Sequence, residues 1–199
     1  MTEIKVFNRW DVEGIRVVDP GLVKYINLEA KFVPKSSGRH SQNRFHKSKV
    51  FIVERLINKL TIPGHKSKKH FKSSSHLTGK IQNAQDIVEE TFTIIENRSK
   101  KNPIEVFVKA VENGAPREEI ITIEYGGARY PKSVECAPQR RVDYVLRQMV
   151  QGVYRSCFNS KKSAASALAA EILAAYQLSS SSAAIQKKLE LERQADSSR

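Results

Sequence analysis

Apolar positions along this 199-residue chain follow the α-helical period over most of its length. Asp19-Pro20 predicts a helix start, because Asp is a good N-cap and Pro suits the first helical position. Apolar stripes of helical period follow in six further segments, although charged residues outnumber apolar ones in the last. Their predicted starts lie near Phe51, Thr78, Pro103, Pro138, Ser160 and Ser182. The first of these stripes ends at Pro63-Gly64, and the third ends at Asn113-Gly114.

The period changes from 3.6 to 2 between residues 117 and 136, which predicts a β-hairpin. The alternating positions are Ile121, Ile123 and Tyr125 on one strand and Tyr130, Lys132 and Val134 on the other. Gly126-Gly127-Ala128-Arg129 supplies the predicted turn. An isolated two-stranded hairpin is marginal in water, so we expect its tip to project and rest on another molecule.

These elements predict a mainly α protein: about six helices in a single-domain bundle, with one protruding β-hairpin and a basic N-terminal arm. We divide the chain into an N-terminal extension, residues 1–34, and a main domain, residues 35–199. The main domain comprises the basic arm 35–49, a helical core 50–113, the hairpin 117–136 and helices in 138–199.

Positive charge is concentrated in one segment. Residues 31–80 carry thirteen Lys and Arg residues, a single acid, Glu54, and all five histidines, so this segment supplies +12 of the net charge of +13. Such density repels itself unless a polyanion neutralises it, and counterion release from a phosphate backbone is the usual driving force. The segment has no amphipathic helix with a bulky apolar face that would enter lipid. Nucleic acid is therefore the favoured partner.

Two stretches of this segment are candidate RNA contacts. The arm 35–49 interleaves Phe45, His40 and His46 with basic residues, as an extended RNA contact does, although a disordered solubilising segment has the same composition. Loop 64–80 carries His65, His70 and His76, but its lysines would repel a metal ion and no cysteine is near, so we expect no metal site and no cofactor. Its expected phosphate ligands are Lys66, Lys68, Lys69, Lys72 and Lys80.

Two further sites carry weaker signals. The hairpin tip combines flexible glycines with Arg129, Tyr125 and Tyr130, which suits base stacking or phosphate contact but also fits an ordinary turn. Arg140 and Arg141 begin a helix, where the macrodipole disfavours cations by up to about 1 kcal/mol. Either an external anion removes this conflict, or the charge is tolerated at the surface.

Other protein classes lack support in the sequence. No stretch approaches the roughly 20 apolar residues of a transmembrane helix, and the N-terminus has no apolar core of a signal peptide. Cys136 and Cys157 match no metal-ligand spacing and are expected to be reduced core thiols. No phosphate loop, nucleophile elbow or acid pair in an apolar setting is present, so we do not expect an enzyme. These features predict a soluble, cytoplasmic protein.

Seven strings, in order from the arm to the C-terminus, resemble the universal small-subunit ribosomal protein seven of the ribosome head, in its archaeal and eukaryotic form. They are SSGRHSQNRFHKSK, IVERLINKL, KNPIEVFVKAVENGAPREE, GGARY, APQRRVDYVLRQM, AAEILAAY and AIQKKLELERQADSSR. The resemblance implies a ribosomal protein that nucleates the 3′ major (head) domain of small-subunit rRNA. It also implies a position lining the E site and the mRNA exit path, next to the platform ribosomal protein eleven.

The resemblance also implies residue roles. The rRNA ligands would be Arg39, Arg44, Lys47, Lys49, Arg140 and Arg141. The residues facing E-site tRNA and mRNA would be Tyr125, Gly126, Gly127, Arg129, Tyr130, Lys187, Lys188 and Arg193. A helical DNA-binding regulator that uses the hairpin as a wing beside a recognition helix is the alternative function.

Overall fold

The structure is a computed structural model that describes residues 4–63 and 78–199 in full and residues 65–66 and 69–70 as backbone. Its described part contains six α-helices. They are α1 (Ile52–Leu60), α2 (Ile81–Ser99), α3 (Pro103–Gly114), α4 (Pro138–Cys157), α5 (Ala164–Tyr176) and α6 (Ala183–Asp196). This confirms the prediction of a mainly helical single domain.

Three helix starts are fixed by side chains that accept a hydrogen bond from a free backbone N–H group. Asn102 caps α3, Ser163 caps α5 and Ser182 caps α6. The start of α5 was predicted near Ser160, and it lies at Ala164. Ser160, Lys161 and Lys162 are exposed and precede the helix, and the hydroxyl of Ser163 is the one that reaches a helical N–H, at 3.2 Å.

The predicted helix after Asp19-Pro20 is wrong. Residues 20–25 form turns, in which the N–H of Leu22 donates to the carbonyl of Asp19 at 2.9 Å. The carboxylate of Asp19 accepts from the N–H of Gly21, also at 2.9 Å, so it closes a local turn. Only Leu22 and Ile26 of this stretch are deeply buried, whereas Val23 is 51% exposed. Two buried positions are too few to hold a helix against the body.

All six helices and the N-terminal segment share one hydrophobic core. Trp10 packs edge-on against Phe92 of α2, with ring centroids 5.7 Å apart, and Phe92 contacts Phe107 of α3 at 6.1 Å. Val6 and Leu22 are fully buried in the same core. The described part of the N-terminal extension therefore packs into the bundle. No helix within the described ranges is long and apolar enough to cross a membrane.

The described residues include two antiparallel hairpins, where the sequence predicted one. Strands β1 (His65–Lys66) and β2 (Lys69–His70) pair within the basic loop, and β3 (Glu118–Tyr125) pairs with β4 (Ala128–Glu135). The turn of the longer hairpin is shorter than predicted, because Ala128 and Arg129 belong to β4. Gly126 and Gly127 both have positive φ, 56° and 83°, as a tight two-residue turn requires.

The basic arm is not extended. It forms two short 3₁₀ turns, Arg39–Ser41 and His46–Lys49, which precede α1. Both turns are too polar to enter the core, and none of their residues is buried. Contacts with neighbouring elements hold them in place.

Candidate nucleic-acid interface

Two hydrogen bonds fix the ends of the basic arm. The N–H of Ser36 donates to the carboxylate of Glu54 at 2.7 Å, and the side-chain amide of Asn27 donates to the carbonyl of Lys49. Glu54 is 1% exposed and is the one acid of residues 31–80. Since this acid is turned inward to hold the arm, it does not neutralise the arm's outer surface.

Asp143 of α4 holds the middle of the arm. Its carboxylate accepts from Lys47 at 2.8 Å and from Arg55 of α1 at 3.1 Å. Burial opposes ionisation of this carboxylate, but the two cations outweigh that effect and hold the pKa of Asp143 below its ordinary value. The arm, α1 and α4 thus meet at one charged cluster.

Cations outnumber carboxylates around this cluster. Lys59, at the end of α1, shares a shallow pocket of about 160 Å³ with Lys47, Arg55, His40 and Asp143. Burial lowers the pKa of Lys59, and the nearby charge of Lys47 lowers it further, against a weaker opposing effect of Asp143. An anion placed here would relieve the repulsion, because it supplies the countercharge that the fold does not.

The predicted ligands on the arm differ in their exposure to solvent. Arg39, Arg44 and Lys49 are exposed, while Lys47 is half-buried in its ion pair with Asp143. The guanidinium of Arg44 lies over the ring of Phe45, 5.0 Å from its centroid. Three of the four predicted ligands on the arm are therefore available to a polyanion, and the fourth is partly neutralised.

Arg140 and Arg141, which begin α4, both have internal partners. Arg140 binds the carboxylate of Glu119 in β3 through two nitrogens, at 2.7 and 2.8 Å. Arg141 is 8% exposed and donates to Asp19 at 2.8 Å and to the carbonyl of Pro116 at 3.0 Å. The anions that the helix start requires are carboxylates of this chain, so a phosphate is not needed to explain the pair.

The ion pair with Arg141 affects the pKa of Asp19. Partial burial opposes ionisation of this carboxyl, yet the hydrogen bonds from Arg141 and from the N–H of Gly21 prevail, and the pKa of Asp19 is lowered. The buried carboxylate of Glu112 in α3 accepts from the N–H groups of Val18 and Asp19. These bonds tie the N-terminal segment to α3 and α4.

The tip of the longer hairpin is exposed, and its base is fixed. All six residues from 125 to 130 are exposed, and Arg129 pairs loosely with Glu124 across the strands at 3.6 Å. At the base, the N–H of Cys136 donates to the carbonyl of Arg117, whose own N–H donates to Glu192 of α6 at 3.1 Å. The aromatic and basic side chains predicted to face tRNA therefore project from a fixed base.

The three cations of α6 differ in availability. Lys188 is half-buried and donates to the carbonyl of Asn113 at the end of α3, at 2.9 Å, and burial lowers its pKa. Lys187 pairs with Glu190 one turn later, at 2.7 Å. Arg193 is exposed. Lys188 thus caps α3, which leaves Arg193 as the most accessible of the three.

The remaining predicted ligands lie mostly outside the described residues. Lys68 and Lys72, with His76, fall in undescribed stretches, and only the backbone of Lys66 and Lys69 is described. Lys80 is exposed just before α2. Among the described residues, no group of three or more His, Cys, Asp or Glu side chains could hold a metal ion.

Comparison with known proteins decides the family. The pattern of the family described as ribosomal protein S7p/S5e matches residues 22–199. A relative from Nanoarchaeum equitans is 53% identical over 197 residues, which cover 99% of this chain and all of the relative. The chain belongs to the ribosomal protein S7p/S5e family. Relatives from Archaeoglobus fulgidus and Methanococcoides burtonii are 47% and 41% identical, over 96% and 99% of their own lengths.

All three relatives bear the name small ribosomal subunit protein uS7. Membership of the S7p/S5e family confirms the recognition made from the seven strings and the prediction that the protein is not an enzyme. It also favours the ribosomal interpretation over the DNA-binding regulator, which has no support in these comparisons.

Sequence reasoning missed three residues of the candidate interface. Lys59, Arg147 and Asp143 were not predicted as site residues, although all three lie around the arm and α4. Arg147 is exposed on α4, one turn after Asp143. Helical spacing alone would have found that neighbour, since residues four apart share a helix face. The approach of Lys59 depends on how α1 crosses α4, which the local sequence does not specify.

Proposed function

We propose that this protein is a structural, non-catalytic component of the small ribosomal subunit, which binds the 3′ major (head) domain of its rRNA and organises assembly of the head. The single observation that carries the proposal is the basic face formed by the arm, the end of α1 and the middle of α4. Membership of the S7p/S5e family supports the ribosomal setting.

The chemistry of this face suits a phosphate backbone. Arg39, Arg44 and Lys49 are exposed on the arm, and Lys59 and Arg147 continue the positive surface across α1 and α4. The acids of the arm, α1 and α4 are Glu54 and Asp143, and both are engaged in internal contacts. A folded surface with this imbalance gains free energy by releasing the counterions of a polyanion.

Rigid presentation favours RNA of defined shape. The arm is anchored by Glu54, Asn27 and Asp143 rather than left as a free chain, so the backbone that carries its cations is held in place. A pre-formed arm suits the fixed shape of a folded RNA, because less backbone entropy is lost on binding than with a free chain.

The hairpin is proposed to face the E site. Its exposed tip carries Tyr125, Arg129 and Tyr130, a combination that suits stacking on bases and contact with phosphates of tRNA or mRNA. The exposed Arg193 of α6 lies on the helix that holds the hairpin base through Glu192. We further propose the mRNA exit path and the platform ribosomal protein eleven as neighbours, which rests on the resemblance of the sequence strings alone.

A binding measurement tests the rRNA assignment. The purified protein is titrated with a transcript of the 3′ major domain and with an equally long transcript of another domain of the same rRNA, at several salt concentrations. We expect tight binding to the 3′ major domain at salt concentrations that abolish binding to the control transcript. Equal affinity for the two transcripts would contradict head-domain binding, since it would show only non-specific attraction.

A further inference from the structure

Phe45 combines a costly backbone conformation with an exposed side chain. Its φ is +66°, in the left-handed region that bulky residues rarely adopt, and the residue is 60% exposed. Holding such a residue there opposes folding, and residues of this kind concentrate at binding sites. The exposed ring also does not offset this cost through core packing.

The fold itself needs only the backbone of Phe45. Its carbonyl accepts from the N–H of Ser48 at 3.1 Å and from the hydroxyl of the same residue at 2.7 Å, and these bonds close the 3₁₀ turn His46–Lys49. Any residue supplies a carbonyl, and Gly or Asn would adopt the left-handed conformation more readily. The turn therefore does not explain why an aromatic side chain occupies this position.

The ring lies at a cleft of about 400 Å³ between the arm and α4. This volume falls within the roughly 300–1,000 Å³ of pockets that hold small organic groups. Its walls combine Arg44, Arg140 and Arg147 with Asp143 and with Tyr144, a second aromatic residue. Arg140 is paired with Glu119, and Asp143 is paired with Lys47 and Arg55, so Arg44 and Arg147 give the aromatic cleft its excess positive charge.

Gln139, which also lines the cleft, has a buried side-chain oxygen without a hydrogen-bond donor in the described part of the chain. Buried polar atoms normally have a partner, and those that lack one need an explanation. Base edges and ribose hydroxyls carry N–H and O–H donors of the kind that an amide oxygen accepts.

We propose that Phe45 stacks on one unpaired base of the bound RNA, which enters the cleft between the basic arm and α4. The inference rests on the proposed function, since it requires RNA on this face. Arg44 lies over the ring at 5.0 Å, and the exposed Arg147 at the wall of the cleft offers a cation to a phosphate beside the extruded base. Proteins recognise single-stranded RNA in this way, by aromatic stacking within a cationic surface.

Variants of Phe45 separate stacking from folding. Phe45→Gly and Phe45→Asn remove the ring and suit the left-handed backbone. Phe45→Trp keeps an aromatic ring and enlarges its face. Leu178→Gly is a matched control, because Leu178 is also 60% exposed and has a φ of +56° in the turn after α5, away from the cleft. Both glycine variants remove an exposed apolar side chain from a strained position.

The variants are compared by thermal unfolding of the free protein and by affinity for the 3′ major domain transcript. We expect Phe45→Gly and Phe45→Asn to leave the unfolding midpoint within about 3 °C of the wild type or to raise it. We expect their affinity to fall roughly 5- to 150-fold, the range for removing one stacked base. Phe45→Trp should retain the wild-type affinity, and Leu178→Gly should not change it.

Chemical probing of the RNA bases identifies the stacked nucleotide. The wild type should protect one unpaired base that becomes reactive again with Phe45→Gly but not with Leu178→Gly. Wild-type affinity and wild-type protection with Phe45→Gly would overturn the stacking proposal while the rRNA assignment stood. Failure of the wild-type protein to prefer the 3′ major domain would instead overturn the proposed function.

Discussion

Arg55 of α1 donates to Asp143 of α4 at 3.1 Å, with its own side chain only 2% exposed. The same carboxylate accepts from Lys47 of the basic arm at 2.8 Å. One acid thus neutralises a cation of the interior and positions a cation of the surface. The basic arm is therefore coupled to the packing of the bundle through Asp143.

Asp143→Asn should destabilise the free protein by about 3 kcal/mol. The substitution leaves the guanidinium of Arg55 buried without a countercharge, and breaking a buried pair in this way is costly. Denaturant unfolding at neutral pH measures the loss. Glu124→Gln is a control, because its pair with Arg129 is exposed and contributes little. Equal stability of Asp143→Asn and the wild type would contradict the role given to this carboxylate.

The stability difference between the wild type and Asp143→Asn should depend on pH. The pKa of Asp143 is lowered in the folded protein, so its ionised form stabilises the fold fully above the unfolded-state pKa of about 3.9. This stabilisation is lost as the pH falls from there through the lower folded-state value. Unfolding measured at acid pH should show the two proteins converging in that window, and a constant difference would contradict the assignment.

Lys59→Met should stabilise the free protein and weaken RNA binding. Burial and neighbouring cations lower the pKa of Lys59, which shows that the fold disfavours its charge. Removing the charge should raise the unfolding free energy by up to about 1 kcal/mol and reduce affinity for the 3′ major domain transcript. Lys109→Met is the control, because Lys109 has an acidic partner in Glu112 at 3.1 Å. Unchanged RNA affinity with Lys59→Met would remove Lys59 from the interface.

The helices and the long hairpin were predictable because their signals are local. Periodicity located α1 to α4, and the Gly126-Gly127 pair marked the turn. The failed helix after Asp19 had a good start signal but too few buried positions. The carboxylate of Asp19 closes a turn and pairs with Arg141, more than 100 residues away. Such a partner is set by tertiary packing, which no local signal contains.

The candidate site was predictable as a region rather than as a set of side chains. Charge density pointed to the arm, and Arg39, Arg44 and Lys49 are exposed on it. Composition does not distinguish an exposed lysine from one such as Lys188, whose amine caps α3. The inward orientation of Glu54 was equally hidden, since an acid within a basic stretch has the same sequence signal whether it points inward or outward.

Replacing arm cations singly by Ala should reduce the salt dependence of rRNA binding. Removing one contact with a phosphate lowers the slope of log K against log salt by roughly 0.7–0.9. We expect this full change for Arg39, Arg44 and Lys49, and a smaller one for Lys47, which Asp143 partly neutralises. Sequence preference should stay the same, because phosphate contacts carry no base information. An unchanged slope in all four variants would contradict the arm as a phosphate-binding surface.

Deleting residues 125–130 and closing the strands with a short turn should leave the protein folded. All six residues are exposed, so the unfolding free energy should change by less than about 1 kcal/mol. Affinity for rRNA should be largely retained, because the arm is untouched. Ribosomes that carry the deletion should hold deacylated tRNA in the E site less tightly. Unaltered E-site occupancy would count against the proposed position of the hairpin.

Co-sedimentation of the native protein with small ribosomal subunits tests the central claim most directly. Subunits are washed at increasing salt, and the protein is followed through the gradient beside the variant in which Arg39, Arg44 and Lys49 are all replaced by Ala. We expect the wild-type protein to remain with the subunits through a high-salt wash and the triple variant to dissociate at lower salt. Release of the wild-type protein at low salt, or its absence from the subunits, would contradict the account.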